Sequence, residues 1–74
     1  MTKAKINKAI SHLSMEVFGK RGDGYFYFLD KVTGFQVGPS VAVCYLNHGT
    51  IDFWVRHAEY NRNKQNEEDL LWNS

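Results

Sequence analysis

Cys44, His48 and Asp52 recur at intervals of four residues in the middle of this 74-residue chain. A thiol, an imidazole and a carboxylate are the parts of a nucleophile, base and orienter set. They can converge where the strand-like run "SVAVCYLNH" passes into a helix. No recognised motif surrounds them, and so small a domain rarely encloses the pocket that such chemistry needs. Cys44 therefore reads as a packed structural thiol. His12, His48, His57 and Cys44 show no His-x-x-x-His or Cys-x-x-Cys spacing, so neither a metal nor another cofactor is expected. The chain is read as a non-enzyme.

Binding chemistry is better represented. The stretch "GKRGDGYFYF", from Gly19 to Phe28, contains Arg21-Gly22-Asp23, the tripeptide that integrins read. It also follows in part the aromatic strand of the RNA-recognition motif: Arg21, Gly22, Gly24, Tyr25 and Phe28 fit, whereas Asp23 stands where an aromatic should stack on a base. That family also needs βαββαβ order and a second aromatic motif, and this chain begins with a helical pattern. A tight turn accounts for Gly22 and Asp23-Gly24.

Alternation then places Phe26 and Phe28 on one strand face and Tyr25 and Tyr27 on the other. The Phe pair is assigned to the core. Lys20, Arg21, Tyr25 and Tyr27 become candidate partner-binding residues, together with Leu71 and Trp72 in the acidic "EEDLLWNS". Trp and Tyr are the usual anchors of protein interfaces. The alternative is a nucleic-acid surface made of Lys20, Arg21, Tyr25, Tyr27 and Lys31.

These residues must be held by a few short elements. Ile6, Ala9, Ile10 and Leu13 follow helical spacing and predict a helix over 3–15, capped by Thr2. Lys3, Lys5 and Lys8 oppose the dipole of its first turns. Strands are expected over 16–20 and 24–30. A turn, a short extended piece over 35–37 and the Gly38-Pro39 interruption precede a third strand over 40–46. Thr50 caps a second helix, in which Ile51, Trp54, Val55 and Ala58 form the buried stripe. The apolar period ends after Tyr60.

The expected fold is α+β: an α-β-β-β-α domain over 1–62, with a three-stranded antiparallel meander packed against both helices. Residues 63–74 are expected to form a polar, acidic tail. The element order resembles that of the double-stranded-RNA-binding domain, but its lysine cluster is missing: the second helix begins "GTIDFW".

Composition narrows the class. With 43% hydrophobic and 15% aromatic residues, a packed core is expected rather than disorder. Cys44 is the single cysteine, which excludes an intramolecular disulfide. No apolar run approaches the length of a membrane span. The N-terminal stretch lacks the apolar segment of a signal peptide, so a cytoplasmic protein is expected. Net charge is +1, distributed as +3 over residues 1–31, zero over 32–58 and −2 over 59–74. That basic excess is small for a dedicated nucleic-acid domain.

The run "GYFYFLDKVTGFQVGPSVAVCYLNHGTIDFWV" resembles small domains encoded by phages and prophages: a Gly-aromatic strand, a turn, a Val-rich strand, then Leu-Asn-His before a Trp-bearing helix. The resemblance covers about half of the chain. It implies an accessory protein that binds host or phage proteins and modulates or inhibits host machinery, as anti-CRISPR proteins of this size class do. The expected function is thus a protein-binding module, with homodimerisation as a further use of the same anchors. A small DNA- or RNA-binding regulator is the alternative.

Overall fold

The computed structural model of the chain describes residues 1–20 and 22–73, and side chains as far as Asn66 within the last helix. It is a small α+β fold with two helices and a two-stranded antiparallel sheet.

Helix α1 spans Lys3–Ala9. Thr2 caps it as expected, its hydroxyl accepting from the Lys5 N–H at 3.3 Å. The helix is shorter than its apolar spacing implies. Ile10 closes it, a single 3₁₀ turn covers Ser11–Leu13, and Ser14 takes a left-handed conformation at φ 55°. This reversal lets strand β1, Met15–Gly19, begin at once and bury Met15 and Val17. The Asn7 side chain in α1 ties strand to helix by accepting from the Val17 N–H at 2.8 Å.

Strand β2 is Phe26–Asp30, paired with β1 from Met15 opposite Asp30 to Gly19 opposite Phe26. Alternation divides the hairpin into two faces. Met15, Val17, Phe26 and Phe28 point inward to Ile6 of α1, to Ile10 just past its end, and to Trp54 and Ala58 of the second helix. Trp54 is the centre of this core. Its edge meets the rings of Phe26 at 5.7 Å and Phe28 at 6.2 Å, and its indole N–H donates to the Leu46 carbonyl at 2.8 Å.

The third strand expected over 40–46 does not form. Residues 36–41 run beside β2 but touch it as isolated bridges, Gln36 opposite Leu29 and Val41 opposite Phe26. Between them lie Gly38, at φ 71°, and Pro39, which has no N–H to give a ladder. The carbonyls turned away from β2 are taken instead by Asn61, whose amide nitrogen donates to Val37 at 3.2 Å and Pro39 at 3.1 Å. A side chain from a helix thus satisfies these two carbonyls, and the run beyond Val41 turns away from β2, the Val43 N–H donating back to the Val41 carbonyl at 3.0 Å. The meander is reduced to a hairpin with one bridged flank.

Helix α2 spans Ile51–Asn73, 23 residues, so the segment expected as a tail over 63–74 continues it through Asn73. Thr50 caps it, accepting from the Phe53 N–H at 3.1 Å. Its core stripe runs Trp54, Ala58, Asn61, extending one step past the last apolar member.

Candidate functional site

The outer face of the hairpin carries Glu16, Phe18, Tyr27 and Leu29, with Phe18 directly across from Tyr27. Tyr25, one residue before β2, joins them. The Phe18 and Tyr27 rings stack with centroids 6.2 Å apart and planes 21° from parallel; Tyr25 and Tyr27 stack at 6.3 Å and 29°. Tyr25 is 48% exposed and Phe18 36%. Three rings thus form a continuous row in water on a strand pair whose other face is locked in the core. Such rows need no induced fit and present large area at little entropic cost.

The sequence-predicted residues divide between the two sides of this hairpin. Tyr25 and Tyr27 are together on the outer face. Lys20 is exposed and lines a cavity on the other side, floored by the core-facing Phe26. Lys31 lies past the far end of β2, whose five residues separate it from Lys20 by roughly 16 Å. Arg21, and the side chains of Leu71 and Trp72, lie outside the described residues. Phe18 was not singled out from sequence; its signal is cross-strand register, which depends on where the hairpin turns.

The groups that suggested catalysis are engaged separately. Asp52 pairs with Arg56 at 2.9 Å, one turn along α2. His48 meets the Tyr45 ring edge-on at 5.1 Å. The half-buried Cys44 contributes its carbonyl, which accepts from the Gly22 N–H at 2.9 Å. His12 faces Glu59 at 3.8 Å and His57 packs on Phe53 at 4.4 Å. Among the described residues no group of three or more His, Cys, Asp or Glu is placed to hold a metal ion, and no helix is long and apolar enough to cross a membrane.

The end of the hairpin away from Lys20 is pinned electrostatically. Arg62 of α2 pairs with Asp30 at 2.9 Å and donates to the Leu13 carbonyl at 2.7 Å. The other Asp30 oxygen accepts from the Val32 and Thr33 N–H groups at 2.7 and 3.0 Å. The backbone N–H of Thr33, then that of Val32, then the Arg62 guanidinium hold the Asp30 carboxyl below its ordinary pKa. This rigid turn projects Val32 and Phe35 outward, 86% and 73% exposed.

No protein-family model, no curated protein and no solved structure matches the chain.

Proposed function

We propose that this protein is a non-enzymatic protein-binding module whose contact surface is the outer face of the hairpin. The stacked, solvent-facing row of Tyr25, Tyr27 and Phe18 carries the reading. Aromatic residues are enriched at protein interfaces and among their anchors. Charge favours a protein over a nucleic acid. Glu16 is the one charged residue among the four outward positions of the strand pair, and a carboxylate beside the rings repels a phosphate backbone. The exposed Val32 and Phe35, held out by the Asp30 turn, fit the same kind of partner. The setting we infer, an accessory protein of a phage or mobile element acting on host or phage proteins, rests on the sequence resemblance, and its cytoplasmic location on the lack of a signal-peptide pattern in the N-terminal stretch.

The test is capture of binding proteins from nuclease-treated host lysate on immobilised protein, repeated with the Tyr25→Ser/Tyr27→Ser and Lys20→Gln variants. Loss with the first and retention with the second supports the reading. A complex that disappears with nuclease, or that survives the tyrosine substitutions, overturns it. A dimer that dissociates on the tyrosine substitutions assigns the face to a second copy of the chain.

A further inference from the structure

A two-stranded sheet has two margins, and the backbone pattern shows which groups face each one. Phe26 both donates to and accepts from Val41, at 2.9 and 2.6 Å. Phe28 accepts from the Val37 N–H at 2.8 Å, and Asp30 donates to the Phe35 carbonyl at 2.9 Å. The backbone groups of these three β2 residues therefore point away from β1. In an antiparallel ladder the residues directly opposite point away as well. Those residues are Gly19, Val17 and Met15. Their N–H and C=O groups form the outer margin of β1, and no further strand pairs with it among the described residues.

Two side chains of α1 reach this margin instead. The Asn7 Oδ1 accepts from the Val17 N–H at 2.8 Å, and the Lys3 Nζ donates to the Gly19 carbonyl at 2.6 Å. Each supplies what the strand group lacks, an acceptor for the N–H and a donor for the C=O. The spacing matches. Lys3 and Asn7 are four residues apart on a helix, about 6 Å along its axis. Val17 and Gly19 are two apart on a strand, about 6.8 Å. The order is antiparallel, the earlier helix residue meeting the later strand residue. One helical turn thus stands where a paired strand would lie. Lys3 pairs with no carboxylate among the described residues, so its ammonium is committed to this margin. A lysine on a sheet margin obstructs strand addition, because its charge must be moved or desolvated first.

The strand best suited to this margin is the same margin of another copy. Two copies related by a two-fold axis at Val17 would set Val17 against Val17 and Met15 against Gly19, with every outward N–H facing an outward C=O. We infer that Lys3 and Asn7 close β1 against strand pairing with a second copy of this chain. The closure keeps the hairpin monomeric along its edge, whatever partner the tyrosine row takes on its outer face.

Sedimentation equilibrium of the full chain tests this against Lys3→Met, Asn7→Leu, the two combined, and Asn7→Asp, which keeps an acceptor for Val17. The unmodified chain and Asn7→Asp should show no pairing through β1. The combined variant should self-associate at least about tenfold more tightly than the unmodified chain, the scale of one or two hydrogen bonds released for pairing. In that variant the Gly19 amide should gain protection from hydrogen exchange as concentration rises, since pairing gives it a carbonyl. Adding Tyr25→Ser and Tyr27→Ser should leave this association in place. Should the combined variant fail to fold, Lys3→Met alone, at an exposed position, should still strengthen association and protect Gly19. A folded combined variant that stays monomeric, association lost with the tyrosines, or a Lys3→Met chain no more associated than the unmodified one would each overturn the inference.

Discussion

Asn61 occupies the space that a side chain on Gly38 would need: a Cβ there would lie 2.6 Å from the Asn61 Cγ and 2.7 Å from its Cβ. The close approach is what lets one amide reach the carbonyls of both Val37 and Pro39. Asn61 is 1% exposed, so its removal leaves the Val37 carbonyl without this donor in the buried interior and the Pro39 carbonyl without it at a part-buried position. Asn61→Ala should therefore cost about 2–4 kcal/mol, a large part of the roughly 4–11 kcal/mol expected for a chain of this length. Asn61→Asp keeps the shape and sets a carboxylate against those carbonyls. It should be the more damaging at pH 7 and should recover in part as pH falls and the carboxyl protonates. Urea unfolding at pH 7 and pH 4.5 measures both.

Trp54 joins three parts of the molecule: the hairpin through Phe26 and Phe28, its own helix through Phe53, and the 3₁₀ turn through the Leu46 carbonyl. Trp54→Ala should cost about 3–5 kcal/mol, as should Phe28→Ala. Trp54→Phe keeps much of the ring contact but strands the Leu46 carbonyl, for a loss of about 1–2 kcal/mol. Thermal melts of the three variants check this order.

The strand faces and the α2 stripe were legible because they follow from periodicity. Phe26 and Phe28 must alternate with Tyr25 and Tyr27, and Trp54 and Ala58 lie one turn apart. The third strand misled because its run, Ser40 to Leu46, is rich in strand formers, yet after the Val41 bridge the chain turns: the Val43 N–H donates back to the Val41 carbonyl at 3.0 Å and a 3₁₀ turn takes Leu46–His48. Nothing in the type of Asn61 announces that it faces inward. The end of α1 was hidden for a similar reason. Ile6 to Leu13 keep helical spacing through the 3₁₀ turn, and the reversal is made by Ser14, which seldom adopts positive φ. Helix α2 outlasts its apolar period because Lys64, Gln65, Glu67 and Glu68 are residue types with strong helix propensity. For the candidate site, the two tyrosines were readable from alternation. Their partner Phe18, and the separation of Lys20 from them, depend on register and on the direction in which the loop leaves β1.

Asp30 predicts how stability responds to acid. In the unfolded chain its carboxyl titrates near about 3.9; in the folded protein it titrates lower. Between these values the unfolded chain binds more protons, so stability rises with pH there. The contribution is complete above about pH 5 and is lost as pH falls through the lowered value. Asp30→Asn should flatten the Tm profile across that acidic window. Arg62→Gln should lower Tm at neutral pH, since it also loses its bond to Leu13, yet keep most of the acid dependence. The N–H groups of Thr33 and Val32 are the larger causes of the shift and remain in place.

The turn held by Asp30 should be strong while the side chains it displays contribute little. Val32 and Phe35 lie outside the buried core and face water. Replacing both by serine should change stability by no more than about 0.5 kcal/mol per site and reduce surface adhesion in self-association measurements. A large loss in chemical denaturation would mean that Phe35 packs on the domain.

The tyrosine row should show energetic coupling on its own hairpin even without a partner. Phe18 and Tyr27 are direct cross-strand neighbours with stacked rings, and Tyr25 stacks on the same Tyr27. Aromatic pairs of this kind contribute about 0.5–1.5 kcal/mol beyond area burial. A double-mutant cycle of Phe18→Ala and Tyr27→Ala should return an interaction in that range. Tyr25→Ala, at a position before the strand begins, should cost less than Tyr27→Ala, which has a ring on each side. If Tyr25 proved the costliest of the three in urea melts, the row would be a structural brace rather than a surface held ready for a partner. The expected order, with the middle ring dominant and the outer rings cheap to remove, leaves Tyr25 and Phe18 free to serve binding.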